Sequence, residues 1–294
     1  MSGYLITIGT IVAINAIVAC GLNVIVGFAG QISLGHAAFF GIGAYSAALL
    51  ATKAGLSFWA ALPLVVAATA LVGLLLGIPS LRVREDFLAI TTIGINFIVE
   101  AVFLYVPFFG GALGIGGIPR VALLDFRLRG PEFFGMCLCF LALTMLACWW
   151  LTRCWAGLAC FALREEEEAA ASVGISAVRF KLLAFVIGTG MAGLGGALYA
   201  HFMRFISATD FAFPMSVSLL SMVVVGGIGT LWGPVVGALI IGILPELFRP
   251  LVDYRILFYT ALLLLMIRFQ PGGLLGEESA ARTILARLAP RRKR

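Results

Sequence analysis

The residues of this chain most able to do work lie in a charged segment, Arg164–Lys181, with the sequence REEEEAAASVGISAVRFK. Four consecutive glutamates, Glu165 to Glu168, cannot sit in hydrocarbon. Each acidic residue costs roughly 2.5–3.5 kcal/mol at a bilayer centre, so four cost on the order of 10 kcal/mol. The segment must lie outside the bilayer, yet it reads as ordered. Ala169, Ala170 and Ala171 favour helix, the glutamates stand near the N-terminal end where the helix dipole stabilises negative charge, and Gly174 is a natural stop. A short helix held at a membrane face is what a pore needs if something outside is to push on it.

A second group is polar where its surroundings are apolar. In GFAGQISLGHAAFFGIG, residues 27–43, Gly30 and Gly35 interrupt what would otherwise be a span, and Gln31, Ser33 and His36 are costly in lipid unless they face protein or water. Exposed backbone at such a break can hydrogen-bond a polar solute, which makes these five residues candidates for a translocation pathway. A third group, Thr92, Asn96 and Glu100, is spaced i, i+4, i+8 and is expected to form one polar stripe on a helix. An intramembrane carboxylate such as Glu100 is a functional candidate by default.

Enzymatic patterns are missing. The two histidines, His36 and His201, fall in different apolar stretches, no Gly-x-Ser-x-Gly occurs, and none of the three lysines (Lys53, Lys181, Lys293) is followed by Ser or Thr. Without a Walker A pattern, any ATP drive has to come from another chain. The expectation is a transport subunit with no ATPase site, no catalytic residues, no metal and no cofactor of its own. The six cysteines form no Cys-x-x-Cys pair and read as small core residues.

The elements that position these groups are membrane helices. The chain is 62% hydrophobic and 12% charged, with no Asp, Glu, Lys or Arg before Lys53, against about a quarter charged in soluble proteins. Apolar stretches near 4–26, 37–52, 58–78, 87–107, 133–152, 181–203, 215–228, 230–248 and 255–270 predict an all-α, polytopic transmembrane bundle of about 8–10 spans. The stretches 37–52, 215–228 and 255–270 are short enough to be broken or re-entrant, a mark of transport pathways. The first stretch lacks a basic flank and reads as a retained span rather than a signal peptide. Residues 1–276 are read as one transmembrane domain carrying the loop 153–181, and 277–294 as a basic tail. The tail (Arg282, Arg287, Arg291, Arg292, Lys293, Arg294) supplies much of the net charge of +6, which fits a cytoplasmic anchor near anionic lipid rather than nucleic acid. The basic bias places loop and tail on the cytoplasmic side and the N-terminus outside. The glycine-rich segment 108–132 then faces outward, as a tight connector or a docking surface.

Small residues recur at four-residue spacing in two places. Gly188, Ala192, Gly196 and Ala200 form one expected ridge, and Gly229, Gly233 and Gly237 another, each allowing close helix packing. Pro234 would kink or start a helix.

Five blocks in order carry a resemblance over nearly the whole chain: GLNVIVGFAGQISLGHAAFFGIGAY (21–45), LRVREDFLAITTIG (81–94), GGALGIGGIP (110–119), ALREEEEAAASVGISAVRFKLLAF (162–185) and MVVVGGIGTLWGPVVGA (222–238). Through them the chain resembles the branched-chain amino-acid ABC transporter permease family, in its LivM-type branch. The resemblance implies an ATP-driven importer with a second permease, two cytoplasmic ATPase subunits and a periplasmic binding protein, in a bacterial inner membrane. It implies that Arg164, Glu165, Glu168, Ala169, Ala170 and Gly174 couple to the ATPase, since Glu168-Ala169-Ala170-x-x-x-Gly174 matches the core of the importer-permease pattern. The Ile-x-Leu-Pro continuation of that pattern is absent here. The residues alone leave a rival open, an ion-coupled secondary transporter with Glu100 and His36 as its relay.

Overall fold

The continuous absence of charge up to Lys53 has a direct structural result: the first two helices are enclosed by the rest of the chain. In the computed structural model, which describes residues 2–80, 85–123, 126–247, 264 and 273–275, α1 (Ser2–Asn23) runs on through a π-helical turn, Val24–Phe28. A break follows, and α2 (His36–Thr52) resumes. Then come α3 (Phe58–Ser80), α4 (Glu85–Tyr105) and α5 (Gly130–Arg153), two short helices, α6 (Trp155–Glu165) and α7 (Glu167–Ser172), and finally α8 (Ala177–Met203), α9 (Phe213–Gly226) and α10 (Gly233–Leu247). Among the described residues, six helical stretches are long and apolar enough to cross a membrane, and α2 and α10 are shorter apolar helices. The protein is a multi-pass helical membrane bundle, as its hydropathy predicts. The expected span 255–270 and the tail 277–294 lie outside the described residues, except for Leu264.

The two ends of the bundle differ. At one end Gly130 approaches Ile6, Phe134 packs on Gly9, Lys53 donates to the Phe108 carbonyl at 2.9 Å, and the Trp59 indole donates to the Ala122 carbonyl. The connector predicted to be turn-rich caps this end. It holds two 3₁₀ turns, Pro107–Phe109 and Gly111–Leu113. Strand β1 (Ile115–Gly116) pairs with β4 (Phe205–Ile206), and β2 (Ala122–Leu123) with β3 (Phe126–Arg127), both antiparallel. Gly110, Gly111, Gly114 and Gly117 all take positive φ there, a conformation other residues resist. The opposite end carries α6, α7, the loop 227–232 and residues 273–275, whose Leu274 and Leu275 amides bond the Val225 and Gly226 carbonyls.

Helix α8 is the axis. Its 27 residues span about 40 Å at 1.5 Å per residue, and small residues let neighbours close on it from several sides. A Cβ on Gly188 would come within 2.5 Å of the Gly21 carbonyl of α1, one on Gly193 within 2.5 Å of the Thr69 hydroxyl of α3, and one on Gly196 within 2.5 Å of the Ala44 nitrogen of α2. The first predicted ridge is therefore a real packing surface. The second is corrected: Gly229 has φ +78 and sits in the loop before α10, so only Gly233 and Gly237 belong to that helix. These two close against α9, at Gly226 and Met222, and Pro234 lies in the first turn of α10, where its missing N–H costs nothing. The cysteines are unpaired; Cys20, Cys137, Cys148 and Cys160 are buried, with Cys20, Cys148 and Cys160 in one apolar cluster.

Candidate functional site

The charged segment folds as two helices rather than one. Glu166 is extended (φ −157) and separates α6 from α7, so Glu167 and Glu168 fall in the first turn of α7, where unpaired N–H groups favour negative charge. Splitting the helix also relieves four like charges in a row. Helix α7 ends as predicted at Gly174. With φ +88 there, the Ile175 amide reaches back to the Ala170 carbonyl at 3.1 Å, the six-to-one bond of a glycine C-cap. Glu165, Glu168, Ala169 and Gly174 are exposed, while Ala170 is buried under the helix. Lys181 of α8 pairs with Glu167 and pins α7 to the bundle.

Arg164 behaves differently from its acidic neighbours. Although the residue is exposed like its acidic neighbours, its guanidinium reaches back to the bundle and donates to the Gly27 carbonyl in the π-turn of α1. Gly30 (φ +71), near the start of the break, lies against the aliphatic part of the same side chain: a Cβ there would stand 3.3 Å from Arg164 Cγ. The loop 227–232 joins this knot. The Gly229 amide donates to Asn23 Oδ1, and Asn23 Nδ2 donates to the Thr230 carbonyl, each at 2.9 Å. A π-turn inside an α-helix is itself a common mark of a functional site.

From Gly30 the chain turns back into the bundle. Gln31, Ser33 and His36 are all buried, at 2%, 1% and 0% exposure; the side-chain polar atoms of Gln31 and Ser33 find no hydrogen-bond partner among the described residues, and the His36 ring has the Val18 backbone as its polar neighbour. A buried polar group left unsatisfied costs about 1–3 kcal/mol, so these side chains do not add to stability as they stand. The backbone around it is held from two helices. The Leu34 amide donates to Thr92 Oγ1 of α4 at 3.0 Å, and the Ala37 amide to Ser216 Oγ of α9 at 3.0 Å. Ser216 in turn donates to Asn96 Oδ1 at 3.2 Å. Gly35 lets the break touch α4, since a Cβ there would overlap the Thr92 carbonyl.

The structure therefore brings together Gly30, Gln31, Ser33, Gly35, His36, Thr92 and Asn96, and it leaves Glu100 out. Thr92 and Asn96 are buried; Glu100 is half-exposed. Eight residues at 3.6 per turn rotate the side chain some 80° from the starting direction, enough to carry Glu100 off the stripe. Two contributors were missed in the sequence. Ser216 reads as an ordinary small polar residue of an apolar helix, and Asn23 as one polar residue in a buried span. Only the fold shows that each bonds backbone far away in the chain.

Comparison with known proteins agrees with this architecture. The family described as branched-chain amino acid transport system / permease component matches residues 4–268. The LivM permease proteins of the high-affinity branched-chain amino acid transport systems of Salmonella typhimurium and Escherichia coli are each 37% identical over 92% of this chain and 69% of their own length. The LivH permease protein of Escherichia coli is 34% identical over 41% of this chain and 40% of its own. No solved structure gives a significant match. The ion-coupled alternative finds no support among these relatives. With six membrane-length helices among its described residues and a family match over residues 4–268, the chain belongs to the permease-component family of branched-chain amino acid transport systems.

Proposed function

We propose that this chain is one permease subunit of an ATP-driven importer of branched-chain or other hydrophobic amino acids, and that it forms half of the translocation pathway. It acts beside a second permease, two cytoplasmic ATPase subunits and a periplasmic binding protein. ATP is consumed by the ATPase subunits, and this chain needs no cofactor. It resides in a bacterial inner membrane with α6, α7 and the basic tail on the cytoplasmic side.

The observation that carries this reading is α7 itself. It is an exposed acidic helix at one end of a membrane bundle, anchored underneath by Ala170 and the Lys181–Glu167 pair. The helices around the break at 29–35 are the parts that would move. Alternating access then consists of α7 following the ATPases and the broken segment opening to one side at a time.

The test is a tagged purification from mild detergent, with uptake of labelled leucine into proteoliposomes. The wild-type protein is expected to bring down P-loop ATPases and a second permease, and Glu168→Arg/Gly174→Trp to lose the ATPases. Wild type recovered alone under several mild detergents would overturn the proposal.

A further inference from the structure

We propose that Arg164 is a positioning residue that acts inward, as the link through which movement of α6 and α7 reaches the broken segment, and not as a contact to the ATPase. The proposal rests on the reading of α7 as the ATPase-coupling helix. Its basis is the direction of one side chain. Arg164 stands at the end of α6, next to four glutamates, yet its guanidinium is bound to the Gly27 carbonyl.

Three elements meet at that group. Gly27 lies in the π-turn of α1, and a Cβ on it would lie 2.5 Å from the Gly229 nitrogen. Gly30 lies near the start of the break and rests on the Arg164 stem. Gly229, in the loop between α9 and α10, leaves room for the guanidinium, because a Cβ there would collide with Nη1. Asn23 clamps the same loop to α1 with two hydrogen bonds. Displacing Arg164 therefore pulls on the end of α1, the start of the break and the α9–α10 loop together.

The far side of the break is also tied down. Leu34 and Ala37 are bonded to Thr92 and Ser216, so strain applied at Gly27 and Gly30 is received at the buried cluster of Gln31, Ser33 and His36. A continuous chain of hydrogen bonds and packed backbone thus runs from the end of α6 to that cluster. Transport by the reconstituted complex measures the coupling carried along this path.

The intact complex is purified and reconstituted with wild type, Arg164→Ala, Arg164→Lys or Asn23→Ala. ATPase co-purification and leucine taken up per ATP hydrolysed are then recorded. For Arg164→Ala the ATPase subunits are expected to remain bound while uptake per ATP falls by about tenfold, a typical coupling energy. Asn23→Ala, which lies on α1 away from the exposed face of α7, is expected to show the same pattern. Arg164→Lys keeps one donor for the Gly27 carbonyl and is expected to recover part of the loss, which also separates coupling from misfolding. Loss of the ATPases from the Arg164→Ala complex would make Arg164 a docking contact and overturn the proposal. So would unchanged uptake per ATP in both alanine variants. If wild type itself binds no ATPase, it is the importer reading that fails.

Discussion

Ser216 of α9 donates its hydroxyl hydrogen to Asn96 of α4 across 3.2 Å and accepts the amide of Ala37 at the start of α2. One hydroxyl thus holds three helices together where α2 begins. Replacing it with Ser216→Ala leaves a buried amide and a buried side-chain carbonyl without that partner. The expected cost is about 1–3 kcal/mol per orphaned group, seen as a lower melting temperature in detergent. Ser216→Thr keeps the hydroxyl and is expected to retain most of the stability. A melting temperature unchanged in Ser216→Ala would show that the α2 start is held by other means.

Glu167 and Lys181 make a second joint. The Lys181 side chain is 8% exposed and the Glu167 side chain 44%, so the pair is buried at its lysine end and partly screened by solvent at its carboxylate. Glu167→Lys sets like charges against each other and is expected to loosen α7, raising amide hydrogen exchange over residues 167–174. The charge swap Glu167→Lys/Lys181→Glu restores an opposite pair and is expected to return part of the protection. Equal exchange in wild type and Glu167→Lys would mean that the pair does not hold α7 in place.

What the sequence discloses and what it conceals divides by distance along the chain. The spans that fall within the described residues and the stop at Gly174 follow from local hydropathy and charge, and the structure keeps them; the glutamates lie on and between α6 and α7, apart from the membrane-length helices. The α8 ridge is legible because all its residues belong to one helix. Gly229 misleads for the opposite reason: Gly-x-x-x-Gly spacing carries helical meaning only where both residues are helical, and the loop 227–232 ends that condition. The break at 29–35 is visible as polarity in an apolar stretch, but its partners are not. Ser216 lies some 180 residues from Ala37 and Thr230 some 210 from Asn23, and nothing local in either sequence window points to such a pairing. The bond from Arg164 to the Gly27 carbonyl is concealed by its neighbours, since nothing beside four glutamates marks one basic residue of an exposed charged surface as reaching back to α1.

The two kinds of glycine in the spans give a direct contrast. Gly196 of α8 is enclosed by α2 backbone, at Phe40 and Ala44, whereas Gly94 of α4 has nothing within 4 Å of where a Cβ would stand. Gly196→Val is expected to prevent α2 and α8 from meeting and to abolish a monodisperse peak in size-exclusion chromatography. Gly94→Ala is expected to be tolerated and to raise the melting temperature slightly, since glycine within a helix costs about 0.5–1 kcal/mol relative to alanine. A well-folded Gly196→Val protein would contradict the close α2–α8 approach.

The final prediction isolates conformation from contact at Gly174. With φ +88 and nothing within 4 Å of a Cβ, a side chain here meets no obstacle, so any penalty comes from the left-handed backbone alone. That penalty is roughly 1–2 kcal/mol for an ordinary L-residue and smaller for asparagine, which accepts this conformation at helix ends. Gly174→Val is therefore expected to fray the end of α7 and reduce ATPase retention, with Gly174→Asn close to wild type. Because the two side chains are similar in size, a contact effect would weaken both variants alike. The ordering Gly ≈ Asn > Val in ATPase co-purification identifies the backbone turn, with its bond from Ile175 to Ala170, as the feature that shapes α7 for its partner.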